Sequence, residues 1–224
     1  MWFFKRKKAH KQELEVSGLH FSHSVGIRLA DNAFPSTSCV RHLGFITLSP
    51  HNEDVLAWIS RLQGVIQSDQ TPILVNLSED IRRSFAIAYD FADILVIDPD
   101  PAGGIDSPDV SDITSLLDDL LSLRLCYEKI TPIYLRVPKG ITHDELQSLL
   151  NYCRLSGVDG ILAPSLRLVR DVVRDSQGRM PVIGATEDSQ TALEMLRAGA
   201  SLTEITSPRA LPIMKLLKTL EKEI

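Results

Sequence analysis

The sequence predicts a trimmed (β/α)8 barrel, and three observations carry that reading. Short apolar runs rich in β-branched residues recur eight times along the 224 residues. Most neighbouring runs are separated by one segment whose apolar residues follow helical spacing. The runs are almost continuously hydrophobic, as parallel strands covered by helices must be. Such barrels usually hold about 250 residues with a lower limit near 200, so this is a short example. A flavodoxin-like open sheet is the alternative, but it needs fewer strands.

The runs, in order, are Ser24–Arg28, Gly44–Leu48, Pro72–Leu77, Asp93–Asp98, Pro132–Val137, Gly160–Ala163, Pro181–Ala185 and Ser201–Ile205. Between them, Asn52–Gln63 places Val55, Ile59 and Leu62 on one helical face. Ser111–Leu125 is leucine-rich, with Asp112, Asp118 and Asp119 on its wet side. His143–Leu155 follows Thr142 and has Glu145 three residues after that threonine, a capping-box signature. Asp188–Arg197 reads as a helix stopped by Gly199, and Ala210–Lys222 as the last helix. Residues 1–16 are assigned to a tail and 17–224 to a single barrel domain.

Composition bounds the function. With 44% hydrophobic and 24% charged residues, the chain can bury one sizeable core. A net charge of −5 supplies no counterion-release term, which excludes nucleic-acid binding by bulk charge. Cys39, Cys126 and Cys153 are odd in number and far apart, suiting buried free thiols in a reducing cytoplasm better than a disulfide framework or zinc site. None of His10, His20, His23, His42, His51 and His143 has a second good ligand at metal spacing. The opening Met1-Trp-Phe-Phe-Lys-Arg-Lys-Lys8 is too short to span a membrane or act as a signal core. It reads as a frayed terminus, with weak contact to an anionic membrane surface through residues 1–8 as the alternative. The expected location is therefore cytoplasmic, or peripheral at the membrane.

Chemistry in such barrels lies at the C-terminal ends of the strands. Those ends read Arg28, Ser49, Asn76, Asp98, Arg136, Ala163, Gly184 and Glu204. Charges ending apolar strands need partners, because burying an unpaired charge costs several kcal/mol. Arg28 and Arg136 can each pair with Asp98 or Glu204. Two uses follow: an anion-binding or acid–base pocket, or a self-neutralising plug of salt bridges. The loop 98–107 is the leading functional loop, and Asp98 and Asp100 are its catalytic candidates. These two carboxylates are too few ligands for a closed cation site, so no metal is expected. The turn Val182–Glu187 sits where many barrels cradle a phosphate on bare N–H groups. Only Gly184 offers a bare backbone there, and Glu187 adds a repelling charge.

At these motifs the chain resembles the dihydroorotate dehydrogenases, and especially their membrane-associated class 2 branch. Gly178-Arg-Met-Pro-Val-Ile-Gly184 and Ala192-Leu-Glu-Met-Leu-Arg-Ala-Gly-Ala-Ser-Leu202 are similar to the family's G-R-x-P-I-I-G-V-G-G and A-x-x-K-I-x-A-G-A-S-L-V-Q. Ser156–Leu162 resembles the strand before the family's T-N-T loop, and Phe91–Ile97 the strand leading to its active-site loop. Val25-Gly26, Gly44-Phe45 and Ser49-Pro50 resemble the first two strands.

The resemblance implies an FMN-binding barrel that oxidises dihydroorotate to orotate in pyrimidine synthesis, with a serine or cysteine base. It also implies specific departures. Asn76 matches an orotate-contacting asparagine, and Arg136 stands for a flavin-side lysine. The other flavin-side lysine falls near Asn32 or Ala33. The asparagine opening the catalytic loop is Asp98, and no serine or cysteine lies within Pro99–Ala102. The sixth-strand asparagine is replaced by Ser165 or Pro164. The phosphate cup is replaced by Gly184, Ala185, Thr186 and Glu187, and the second phosphate turn by Thr206, Ser207 and Pro208. Neither the family's glycine-rich segment after the sixth strand nor the quinone-tunnel domain of class 2 is expected here.

Three expectations follow from these residues. The first is a dihydroorotate dehydrogenase-like barrel without FMN or oxidoreductase activity, a pseudoenzyme that binds a small molecule or protein partner as a monomer or homodimer. The second is an FMN-dependent oxidoreductase of the family type. The third is a flavin-free enzyme using Asp98 or Asp100 as base and Arg28 or Arg136 as anion clamp. Arg28, Asn76, Asp98, Arg136, Ser165 and Glu204 line the pocket in each.

Overall fold

A computed structural model describes residues 14–29, 43–49, 57, 60, 71–100 and 108–206. Two antiparallel strands, β1 (Leu14–Val16) and β2 (Leu19–Phe21), precede the barrel. The barrel strands are β3 (Val25–Leu29), β4 (Ile46–Leu48), β5 (Ile73–Leu77), β6 (Ile94–Ile97), β7 (Ile133–Arg136), β8 (Gly160–Ala163), β9 (Val182–Thr186) and β10 (Leu202–Ile205). They close in sequence order, each parallel to its neighbours, with β10 returning to β3. All eight predicted runs are barrel strands. The helices α1 (Ile81–Ala88), α2 (Val110–Arg124), α3 (His143–Ser156), α4 (Leu166–Asp175) and α5 (Ser189–Arg197) cover the outside. Of the helix expected over 52–63 only Ala57 and Ser60 are described, both helical. The helix expected over 210–222 lies outside the described residues.

Side chains alternate between two cores, as the pleat requires. Ile27, Ile46, Val75, Leu95, Leu135, Ile161 and Val182 face the helices, joined by Leu117, Leu149, Val172 and Met195. Phe45, Leu74, Ile94, Val96, Tyr134, Leu162, Ile183 and Leu202 face inward and fill the barrel. Small residues make room for the large ones. A Cβ on Gly26 would stand 2.4 Å from the Phe45 ring, and one on Gly160 equally close to Tyr134.

The hairpin plugs the barrel's N-terminal end, with Leu14–Val16 as its first strand. Ser17 and Gly18 both have positive φ, 51° and 78°, as a two-residue type I′ turn demands. Val16 and Phe21 enter the barrel core, and Phe21 meets Phe45 edge-on with ring centroids 6.0 Å apart. The Ser17 hydroxyl and the Tyr134 hydroxyl hydrogen-bond at 2.8 Å. Burial pushes the Tyr134 phenol up to about 12.

Helix ends largely follow the sequence signals. Thr142 and Glu145 form the reciprocal capping box, and Gly199 takes a φ of 103° just past α5. Helix α1 carries little sequence signal. It is only eight residues long, and Asp80 at its N-cap makes no side-chain capping bond. Cys153 is buried and its thiol is pushed up to about 12 by desolvation. Cys126, expected to be buried, is exposed beyond the end of α2.

Candidate functional site

The pleat that fills the lower barrel with apolar residues brings Arg28, Thr47, Ser49, Asn76, Asp98, Arg136 and Glu204 inward at the C-terminal ends. Arg28 Nε donates to Glu204 Oε1 at 2.8 Å. Its Nη2 lies at the same distance from that oxygen, close enough for an ion pair but without hydrogen-bond alignment. Across the barrel, Arg136 Nε stands 3.3 Å from Asp98 Oδ2. Asn76 Nδ2 donates to that same oxygen at 3.5 Å. Glu204 is fully buried, and Asn76 and Asp98 are only 1% and 4% exposed.

The pairing is set by strand order. Arg28 and Glu204 come from neighbouring β3 and β10, and Asp98 and Arg136 from the ends of neighbouring β6 and β7. In a ring of eight, β3 lies opposite β7 and β10 opposite β6. Arginine therefore faces arginine, and carboxylate faces carboxylate. The four formal charges cancel. Burial lowers the Arg136 pKa first, and the nearby Arg28 charge lowers it further, against the raising effects of Asp98, Glu204 and Asp100.

The cancellation leaves polar atoms over. Arg136 Nη1, Asn76 Oδ1, Glu204 Oε2, and the hydroxyls of Thr47 and Ser49 are buried without hydrogen-bond partners. A buried orphan of this kind costs about 1–3 kcal/mol unless something satisfies it. Among the described residues, no group of three or more His, Cys, Asp or Glu side chains is placed to hold a metal ion.

The other predicted positions do different work. Ser165 is the N-cap of α4, its hydroxyl accepting from Leu168 N at 3.3 Å. Gly184 faces outward, where a Cβ would stand 2.6 Å from the Met195 sulfur, so this glycine serves helix–strand packing. Ala185 faces the barrel interior. The Thr186 carbonyl accepts from Thr206 N at 2.8 Å, tying the two phosphate-type turns together. Glu187 is exposed. Asp188, which sequence reasoning passed over as a site residue, caps α5 by accepting from Gln190 N and Thr191 N at 2.9 and 2.8 Å. Its place before a helix was the available signal. Hydrogen bonds from Thr191 hold its carboxyl below the usual range. Asp100 lies just beyond Asp98, while Ser207 and Pro208 lie outside the described residues.

The fold defines a closed (β/α)8 barrel whose mouth is lined by paired charges. The chain is similar to two proteins named dihydroorotate dehydrogenase (quinone). That of Aeromonas hydrophila is 23% identical over 77% of this chain and 64% of its own length. That of Actinobacillus succinogenes is 26% identical over 61% of this chain and 52% of its own. The chain thus spans less than two thirds of these curated relatives. Crystal structures of the Eimeria tenella enzyme, with ferulenol and ligand-free, superpose with a TM-score of 0.72 at 16% identity. They cover 95% of this chain and 85% and 86% of theirs, respectively. No family model matches the chain. Among the described residues, no helix is long and apolar enough to cross a membrane.

Proposed function

We propose that this chain is a dihydroorotate dehydrogenase-like barrel that does not hold FMN and acts as a binding or interaction protein rather than an oxidoreductase. The observation that carries this reading is the turn between β9 and α5. A flavin phosphate needs free N–H donors and no nearby negative charge. Here the N–H groups of Gln190 and Thr191 donate to the Asp188 carboxylate, and Asp188 N donates to Thr186 Oγ1. Asp188 and Glu187 both repel a dianion. These residues do not fit the phosphate.

The mouth supports the same reading. Arg136, the counterpart of a flavin-side lysine, is engaged with Asp98, and no serine or cysteine follows Asp98 within Pro99–Ala102. Within this reading the chain works in the cytoplasm as a monomer or homodimer. Asn76 and the orphaned Arg136 Nη1 favour a second reading, an FMN-dependent oxidoreductase of pyrimidine synthesis. Dye reduction with dihydroorotate and added FMN separates the two. The first reading predicts no substrate-dependent rate; turnover that requires both dihydroorotate and FMN establishes the second.

A further inference from the structure

The barrel end opposite the charged mouth carries an apolar patch. Among the described residues the large hydrophobics left exposed are Phe91, Leu123, Leu125, Ile130 and Leu155. All five lie on one rim, where helices end and strands β6, β7 and β8 begin. Leu125, Ile130 and Leu155 are 85%, 79% and 81% exposed. A single bare leucine is ordinary, but a cluster on one rim marks a contact surface.

Hydrogen bonds beneath the patch hold these segments side by side. Arg124, next to Leu125, donates to the Gly157 carbonyl at 3.1 Å and to Asp159 Oδ2 at 2.7 Å. That brings the end of α2 to the end of α3, which carries Leu155. Tyr89 Oη donates to the Lys129 carbonyl at 2.9 Å, and Lys129 Nζ donates to the Ala92 carbonyl at 2.7 Å. That brings the segment of Ile130 to the segment of Phe91. The rim is thus anchored from within.

Charge says what covers it. Exposed Asp90 and Glu128 lie on the β6–β7 side of the patch, and exposed Arg154 and Arg179 on the β8–β9 side. An anionic membrane would meet the two carboxylates and be repelled. A second copy, turned by a twofold axis between the two sides, lays the acidic edge of each chain on the basic edge of the other. Self-complementarity of this kind is what an isologous interface requires.

We propose that the chain forms a twofold homodimer through this rim, with Leu125, Ile130 and Leu155 at its centre and the Asp90/Glu128 edge of each copy against the Arg154/Arg179 edge of the other. The two charged mouths then point away from each other. The proposal does not depend on whether the barrel holds a flavin, so its failure leaves the reading above untouched.

The test is sedimentation velocity of the full-length protein over a concentration series, with far-UV circular dichroism to check that each variant folds. The parent should sediment at twice the chain mass at high concentration and dissociate on dilution. Leu125→Glu/Leu155→Glu should weaken association by about 100-fold or more. Asp90→Lys/Glu128→Lys makes both edges basic, and Arg154→Glu/Arg179→Glu makes both acidic. Each reversal alone should weaken the dimer by about 10-fold or more, while an equimolar mixture of the two restores it as a heterodimer. A parent that stays monomeric at every soluble concentration overturns the proposal. So does a dimer that survives both reversals unmixed. A monomer that co-sediments with phosphatidylcholine–phosphatidylserine vesicles also overturns it and makes the rim a lipid surface.

Discussion

Arg28 and Arg136 face each other across the barrel axis from strands four places apart in the ring of eight, and each is held by a carboxylate on an adjacent strand. Their mutual repulsion helps lower the Arg136 pKa. Each guanidinium sits largely, though not fully, out of water, with side-chain exposures of 12% and 14%, because its own carboxylate accompanies it. The mouth is thus two ion pairs set back to back.

Breaking one pair should cost far more than removing it whole. Arg28→Met leaves Glu204 buried and unpaired, and the expected loss is about 3–5 kcal/mol. The double change Arg28→Met/Glu204→Leu should recover most of that, because packed apolar residues replace a desolvated pair at little net cost. Urea unfolding of the two single variants and the double variant measures the coupling.

Asp188 makes stability depend on acid in a defined direction. Its folded-state pKa is depressed, so its contribution is present above the unfolded carboxylate value near pH 4. That contribution is lost as pH falls through the lower folded value. Asp188→Ala should cost about 1 kcal/mol at pH 7 as a lost N-cap. Thermal melts should show the gap between Asp188→Ala and the parent shrinking below about pH 4.

The predicted strands were legible because their burial on both faces leaves continuous apolar runs such as Ile94–Ile97. The hairpin was harder, since Leu14–Val16 and Leu19–Phe21 are three residues each and bury only part of their side chains. Its one signal was the Ser17-Gly18 turn between alternating residues. At the site, the polar strand ends were readable, but the partner of each arginine was not. Closure of the barrel between β10 and β3 brings Glu204 to Arg28, a long-range fact that local pattern cannot encode. Gly184 illustrates the converse. Its sequence context marks a phosphate turn, while its packing is against Met195.

The glycines that admit large barrel residues should resist enlargement. Gly26→Ala and Gly160→Ala each force an aromatic ring to move, with an expected cost of about 1–3 kcal/mol. Gly44→Ala should be worse, because its Cβ would stand 1.7 Å from the His23 carbonyl oxygen, a backbone atom. Denaturant midpoints rank the three.

The two described cysteines should differ sharply towards a thiol reagent. Cys126 is exposed, whereas Cys153 is buried with its thiol held protonated to about pH 12. Cys126→Ser should remove one fast-reacting equivalent from the native protein. Cys153→Ser should remove none until the chain is unfolded.

The flavin-free reading meets its most direct test in the visible spectrum of the purified protein, recorded before and after incubation with excess FMN and desalting. The account predicts a colourless protein in both states, with the Asp188-capped turn offering no seat for the phosphate. A flavin band that survives desalting contradicts it and makes dihydroorotate turnover the activity to pursue.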